Sequence, residues 1–222
     1  MVAGVGMTDV RWFAEVDSTN RVAAAMAVPG LVVVADHQTA GRGRFDRRWE
    51  APAGSSLLVS VVVADPFPTV VVALAAAGAC EDVAGVAPDL KWPNDLIVGE
   101  RKLGGILGES AAGHHVVGLG LNVNWQPETP PDGGVALDEV VGQPVDRFAL
   151  LAGFLRHLAT PPTDVLDAYR RRCATLGRRV RVEIGGEVVE STAVGISAEG
   201  HLLLEGGWAI AAGDVTHVRP AT

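Results

Sequence analysis

The middle of this 222-residue chain holds three strand-like segments that are separated only by tight turns. The segments are residues 96–98, 103–109 and 116–123, and the turns between them are centred on Gly99-Glu100 and Ala112-Gly113. Connections this short join antiparallel neighbours, because parallel strands need a crossover of roughly a dozen residues or more. The spacing therefore predicts an antiparallel meander.

Other segments predict both strands and helices around the meander. β-Branched or apolar runs predict strands at residues 31–36 and 57–64, and alanine-rich or amphipathic segments predict helices at residues 21–27, 69–86, 147–158 and 164–173. From residue 177 the chain changes to short alternating strands with glycine turns, at 180–184, 188–196, 202–204 and 215–218. We therefore place a boundary near Leu176, with one domain at 1–176 and a small β-barrel at 177–222.

The overall charge argues against nucleic acid or an anionic membrane as a partner. Acidic residues number 26 and basic residues 18, which gives a formal net charge of −8. A field of that sign repels polyanions, so an anion site must come from a local cluster of basic residues. The longest apolar run, residues 70–80, is shorter than the ~20 residues of a membrane-spanning helix, and residues 1–12 do not resemble a secretory signal.

The cysteines indicate a reducing compartment, for which the cytoplasm is the simplest choice. The chain contains only Cys80 and Cys173, with no C-x-x-C pair. The six histidines show no metal-ligand spacing, so no metal site is predicted.

A cationic loop at residues 41–49 is the first candidate for chemistry. Its sequence, GRGRFDRRW, combines glycines, whose backbone N–H groups can turn toward an anion, with guanidinium groups that match carboxylate and phosphate oxygens. Trp49 adds a flat apolar face for a nucleobase. A solvated, disordered loop remains an alternative on composition alone.

Two further motifs contain both lysines of the chain. Lys91 begins K-W-P-N-D, and Lys102 lies in R-K-L-G-G-I-L, whereas the other 16 basic residues are arginine. A compact ammonium and a planar guanidinium are not interchangeable where a point charge must reach a phosphate or carboxylate. Each motif taken alone is also compatible with an ordinary turn or hairpin corner.

The order of these motifs resembles the catalytic domain of biotin protein ligases. G-R-G-R-x-x-R-x-W is followed by K-W-P-N-D and then by R-K-L-G-G-I-L, with D-S-T-N upstream and G-L-G-L-N-V-N downstream. The resemblance covers roughly residues 15–125 by motif. It implies an α+β fold with a mixed, largely antiparallel sheet flanked by helices, similar to class II tRNA synthetases, and a small C-terminal SH3-like barrel. Where the family's loop usually has a second glycine, this chain has Asp46.

By position, the resemblance also implies site residues. Those expected to bind biotin are Ser18, Thr19, Asn20, Gln38, Arg42, Gly43, Arg44, Lys102, Gly104 and Gly105. Those expected to bind ATP or the adenylate are Arg47, Trp49, Lys91, Asn94, Asp95 and Asn122. Lys102, Arg42 and Arg44 are expected to supply the catalytic positive charge.

The implied reaction forms biotinyl-5′-AMP from biotin and ATP and then transfers biotin to a lysine. Mg²⁺ is expected to accompany ATP, although no metal ligand can be assigned. The implied partner is the biotin carboxyl carrier domain of acyl-CoA or pyruvate-type carboxylases, and the ligase is expected to be a monomer or weak homodimer. The residue 37–53 loop is expected to be mobile and to close over the adenylate.

Three alternatives remain open from the sequence. A lipoate ligase or octanoyl transferase would share the fold, but transfer of the latter type needs a cysteine nucleophile. A noncatalytic biotin-binding module would not need Trp49 and Asn94. A biotin-responsive repressor would need a helix-turn-helix, for which the 16 residues before Asp17 are too few, so a form without the N-terminal DNA-binding domain is expected.

Overall fold

The structure is a computed structural model that describes residues 9–131, 133–184, 187–211 and 213–217. Within these ranges a larger sheet contains seven strands: β1 (Asp9–Val16), β2 (Leu31–Gln38), β3 (Ser56–Val63), β4 (Asp89–Lys91), β5 (Asp95–Val98), β6 (Arg101–Ala111) and β7 (His114–Asn122). The helices are α1 (Thr19–Met26), α2 (Pro68–Ala84), α3 (Leu137–Val141), α4 (Arg147–Ala159) and α5 (Val165–Arg172). A second sheet contains β8 (Arg179–Ile184), β9 (Glu187–Ile196), β10 (Leu202–Leu204), β11 (Trp208–Ile210) and β12 (Asp214–His217).

The larger sheet is mixed and largely antiparallel, as predicted. Its strand order is β1-β2-β3-β7-β6-β5-β4, and only the β1–β2 pair is parallel among the described strands. The meander β5-β6-β7 is confirmed, with tight connections at the two predicted turns. The α+β class is therefore confirmed.

Both faces of the central strands are covered by helices, which explains their continuous apolar sequences. In β2, Leu31 and Val33 belong to a small core cluster with Ala23 of α1, whereas Val32 and Val34 belong to the main cluster with α2 and α4. Strand β3 is buried along its whole length. Helices α2 and α4 therefore pack on one face of the sheet, and the shorter helix α1 packs on the other.

The second sheet is antiparallel, with the order β11-β10-β9-β8-β12. Its buried side chains, such as Val180, Val182 and Ala193, join the same hydrophobic cluster as α2 and the larger sheet. Closure into an SH3-like barrel and the domain boundary near Leu176 stay predictions. The predicted strand at 215–218 ends in Val218, which lies outside the described residues.

Four elements have no counterpart in the sequence prediction: β1, β4, α3 and β11. β1 has the mixed sequence DVRWFAEV and is half exposed because it forms the edge of the sheet. β4 and β11 have only three residues each, too few for a periodic signal. No helix among the described residues has the length and apolarity needed to cross a bilayer.

Candidate active site

A cavity of about 650 Å³ lies where the cationic loop, the start of α1 and strands β6 and β7 meet. Its floor includes Gly105 of β6 and its cross-strand partner Gly120 of β7, with Gly118 two residues earlier on the same face. A side chain at Gly118 or Gly120 would collide with residues that lie against these strands. A Cβ on Gly120 would lie 2.5 Å from Trp49 Cε2, and one on Gly118 would lie 2.3 Å from Asn20 Oδ1. The missing side chains therefore allow Trp49 and Asn20 to lie directly against the strands at the edge of the site.

The cationic loop has an ordered turn at its tip. Arg42 and Arg48 form an antiparallel bridge, Gly43 N donates to Arg47 O at 2.7 Å, and Trp49 N donates to Gly41 O at 3.1 Å. A Cβ on Gly41 would lie 2.2 Å from Trp49 O, so the base of the turn requires glycine there. This pairing brings the guanidinium groups and the indole to the same cavity wall.

Asp46 adopts a left-handed backbone conformation at the tip of this turn. Its φ is +58°, and that of Phe45 is +54°. Glycine adopts such angles without steric cost, and Asp and Asn tolerate them better than most residues with a side chain. The geometry thus explains how Asp46 occupies a position for which the family's loop usually has glycine.

Uncharged polar groups line the end of the cavity next to α1. Thr19 donates to Gln38 Oε1 through both its backbone N–H, at 2.7 Å, and its hydroxyl, at 3.0 Å. Ser60 of β3 lies behind them, with its Oγ 2.8 Å from Thr19 Oγ1 and 2.6 Å from Asn20 Oδ1. Ser60 is fully buried in a strand whose other residues, apart from Ser56, are apolar, and its hydroxyl is satisfied by these polar neighbours.

Charged groups and amides line the opposite end. Arg44 donates to Asn94 Oδ1 at 3.1 Å, while Asn94 Nδ2 donates to Ile106 O at 3.0 Å. Lys102 Nζ lies 2.7 Å from Asp95 Oδ1 as an ion pair whose geometry is not that of a hydrogen bond, and 5.7 Å from the Trp49 ring centroid. These contacts place an ammonium, a guanidinium and an aromatic face close together.

The cavity is basic although the protein is acidic. Six basic side chains and two acidic ones line it: Arg42, Arg44, Arg47, Arg48, Lys91 and Lys102, with Glu50 and Asp95. The excess is four positive charges in a chain whose formal net charge is −8. A cleft of this kind concentrates anions locally despite the repulsive field of the whole molecule.

Fifteen of the sixteen site residues expected from the sequence line this one cavity; the exception is Gly104. A Cβ on Gly104 would lie 2.9 Å from Gly120 O and 3.1 Å from Leu121 Cδ1, so this glycine is required by strand packing. Asn122 is 4% exposed and donates to Val135 O at 3.1 Å. It thereby joins the end of β7 to the segment before α3.

Sequence reasoning gave no role to Gly118, Gly120, Ser60 and Glu109. The two glycines had a visible signal, because they alternate in a strand (G-L-G-L-N) and so leave one face bare. Ser60 and Glu109 had none, because their partners are distant in sequence. Val215 and Thr216 of β12 also line the cavity, so the second sheet contributes to its wall.

Neither cysteine has the environment of a nucleophile. Cys80 is buried in α2, where burial raises the pKa of its thiol to about 12. Burial also raises the pKa of Cys173, and neither residue lines the cavity. The described residues contain no group of three or more His, Cys, Asp or Glu side chains that could hold a metal ion.

A neutral hydrogen-bonding end and a cationic end with an aromatic wall, without an activated cysteine among the described residues, define a class of enzyme. Such a site suits the activation of a carboxylic acid by a nucleotide, in which two anions are brought together and their charge is neutralised. A nucleophile on the protein is not needed for that step.

Comparisons with known proteins identify the family to which the chain belongs. Residues 12–124 match the Biotin/lipoate A/B protein ligase family and residues 175–218 match the Biotin protein ligase C terminal domain. The chain is 37% identical to the biotin–[acetyl-CoA-carboxylase] ligase of Mycobacterium tuberculosis, over 98% of this chain and 92% of that protein. It is therefore a biotin ligase and belongs to the biotin protein ligase family.

Solved structures agree with this assignment. The biotin protein ligase of Aquifex aeolicus, in complex with biotin and ATP, superposes with a TM-score of 0.83 at 28% identity, covering 96% of this chain and all of that one. The biotin protein ligase of Leishmania major in complex with biotinyl-5-AMP superposes with a TM-score of 0.67 at 25% identity, covering 96% and 99% of the two chains.

Proposed function

We propose that this enzyme activates biotin with ATP to form biotinyl-5′-AMP and then transfers biotin to a lysine of a carrier protein. In the first step a biotin carboxylate oxygen attacks the α-phosphorus and diphosphate leaves. In the second step the lysine amine attacks the acyl carbon, AMP leaves and the amine loses a proton. The observation that carries the proposal is the single cavity with a neutral polar end and a strongly cationic end.

The neutral end is the place proposed for the biotin ring. Thr19 and Gln38 already hydrogen-bond each other, which orients the Gln38 amide, and Ser18 lines the same wall. A ring with ureido N–H and C=O groups can use such side chains without any charge. The carboxylate would then point toward Arg42, Arg44 and Lys102.

The cationic end is the place proposed for the nucleotide. Lys102 is assigned to the reacting carboxylate and α-phosphate, where its charge is most useful as negative charge accumulates. Trp49 and Asn94 are assigned to the adenine, and Arg47 and Lys91 to phosphate or ribose. Asp95 holds the Lys102 ammonium at 2.7 Å, which restricts a long, flexible side chain.

The proposal also includes the metal ion, the acceptor protein and the cellular location of the reaction. Mg²⁺ would enter with ATP, held mainly by phosphate oxygens and water, as this ion commonly is. The acceptor would be the biotin carboxyl carrier domain of a carboxylase, in agreement with the name of the mycobacterial relative. The enzyme would act in the cytoplasm without a nucleic acid or membrane partner, as a monomer or weak homodimer.

The test is biotin-dependent exchange of labelled diphosphate into ATP, which reports adenylate formation and needs no acceptor. We expect exchange in the unaltered enzyme and a loss of roughly 100- to 1,000-fold in Lys102→Ala, because one preorganised charge at the reacting centre is removed. Arg171→Ala removes an exposed cation of α5 paired with Asp167 and should retain full exchange. Near-normal exchange in Lys102→Ala would contradict the assignment.

Substrate choice distinguishes the proposal from a lipoate enzyme of the same fold. The absence of both cysteines from the cavity lining disfavours a cysteine-dependent acyl transferase. Labelled biotin and labelled lipoate, offered separately with ATP, should give an adenylate only with biotin. An adenylate formed only with lipoate would overturn the proposal.

A further inference from the structure

Glu109 of β6 connects the cationic loop to α1 without lining the cavity. Its Oε1 lies 2.9 Å from Arg42 Nη1, and its Oε2 accepts a hydrogen bond from Asn20 Nδ2 at 2.7 Å. The Glu109 side chain is 27% exposed, whereas that of Arg42 is 48% exposed. One carboxylate therefore binds two residues that belong to different parts of the site.

Asn20 forms the buried side of this connection. Its amide donates to Glu109 and also to Leu107 O at 3.2 Å, while its Oδ1 lies 2.6 Å from Ser60 Oγ. Both donors of the amide are thus used within the protein, and the residue is 4% exposed. Gly118 makes the arrangement possible because it has no Cβ against Asn20 Oδ1. The Asn20 amide therefore has no N–H donor left for a ligand, and one of its two donors holds the Glu109 carboxylate in place.

Arg42 forms the exposed side of this connection. It is the first arginine of the loop and lies next to Gly41, which allows the backbone many conformations once the turn opens. Without a partner, a half-exposed arginine would sample many rotamers. The Glu109 carboxylate limits that sampling at a point outside the cavity, so the loop is held at its base while its tip can still move.

We propose that Glu109 is a positioning residue that keeps Arg42, and with it the loop at residues 41–49, closed over the adenylate. This inference rests on the proposed function, because retention matters only if an adenylate forms. The chain of contacts runs from Ser60 through Asn20 and Glu109 to Arg42. It couples the rigid sheet to the loop that shields the mixed anhydride from water.

The variant Glu109→Gln separates positioning from biotin binding. Its amide oxygen can still accept from Asn20, so the biotin end of the cavity is kept, but the charge that holds Arg42 is lost. We expect the KM for biotin to stay within about 2-fold of the unaltered value. Without an acceptor, biotin-dependent AMP release should rise by roughly 3- to 10-fold, because the loop opens more often and water then hydrolyses the mixed anhydride to biotin and AMP.

A double-mutant cycle tests whether Glu109 acts through Arg42. In the Arg42→Gln background, Glu109→Gln should change AMP release by less than about 2-fold, because the partner is already absent. Equal effects of Glu109→Gln in both backgrounds would show that Glu109 acts by another route. Thermal melts of each variant, expected to be cooperative and close to the unaltered enzyme, show that the comparison is made on folded protein.

The control is Glu81→Gln, which removes a carboxylate of α2 that pairs with Arg172, away from the cavity. It should leave AMP release unchanged. If the unaltered enzyme shows no biotin-dependent exchange, the proposed function fails. If it shows exchange, and Glu109→Gln retains the adenylate as well as the unaltered enzyme does, only the role of Glu109 is overturned.

Discussion

Gly105, Gly118 and Gly120 face the cavity from two paired strands, and Trp49 and Asn20 occupy the space next to them. Residues in the middle of a strand normally bear side chains that pack, and glycine there weakens the strand. The loss is tolerated here because the strands lie in the centre of a seven-stranded sheet with helices on both faces. The glycines allow an aromatic ring to lie directly on the sheet.

The variant Gly120→Ala tests this close approach. Its Cβ would lie 2.5 Å from Trp49 Cε2, so the indole must move away from the position proposed for adenine. We expect the KM for ATP to rise by roughly 10-fold, as for partial loss of a stacking contact. Gly195→Ala is the matched control, because its Cβ would lie 3.6 Å from Leu203 Cδ1, an ordinary contact. An unchanged KM for ATP would show that Trp49 is not the adenine platform.

The loop at residues 41–49 is the element proposed to bind the anionic groups and to close over the adenylate. Its internal bridge gives it a defined shape, yet its charged tip is largely exposed. An element with few buried contacts opens locally at low free-energy cost. Such a loop can admit substrates and then close over them.

Hydrogen exchange of this loop provides the corresponding prediction. Biotin with ATP should slow exchange of the Gly43 and Trp49 amides, which donate within the loop, by roughly 10-fold or more, as closure stabilises the turn. Amides of the fully buried strand β3 serve as the internal control and should not change. Equal protection of the loop with and without substrates would exclude closure.

At the scale of the whole molecule, the second sheet is attached directly to the K-W-P-N-D segment. Trp92 N donates to Thr175 Oγ1 at 3.0 Å, and Trp92 Nε1 donates to Gly200 O at 3.1 Å. His217 Nε2 lies 3.2 Å from the same Thr175 hydroxyl. These contacts transmit the position of the second sheet to the cavity wall that contains Lys91.

His217 makes the stability of these contacts between the second sheet and the K-W-P-N-D segment dependent on pH. Burial lowers the pKa of its imidazole to about 4, with smaller contributions from nearby Lys91 and Arg178, and Glu100 acts in the opposite direction. Between pH ~6.5, the usual value, and pH 4 the unfolded chain binds the proton that the folded chain excludes. The free energy of unfolding should therefore fall as the pH decreases through this window.

The variant His217→Gln should weaken that pH dependence. Glutamine can keep a hydrogen bond to Thr175 but cannot take up a proton, so Tm should fall less between pH 7 and pH 5 than in the unaltered protein. His115→Gln, on the exposed end of β7, provides the control and should follow the unaltered curve. Identical pH dependence in His217→Gln and the unaltered protein would contradict this account.

Local patterns in the chain were sufficient for much of the fold. The turns at Gly99-Glu100 and Ala112-Gly113 predict the meander because strand pairing across a tight turn depends only on neighbouring residues. The scarcity of lysine was equally informative, since Lys91 and Lys102 both line the cavity. The edge strand β1 was not predictable, because its parallel pairing with β2 spans a whole helix and its own sequence lacks a clear period.

Contiguous motifs predicted which residues line the cavity. They did not predict which residues from other strands contact those side chains and hold them in place. Trp49 and Gly120 meet only after a loop folds onto a strand some 70 residues later in the chain. Glu109 joins Asn20 and Arg42 across a similar separation. The side chains proposed to bind the ligands lie in motifs that are each contiguous in sequence. The residues that hold those side chains in place come from whichever strand the packed sheet brings alongside, and only the folded chain decides that.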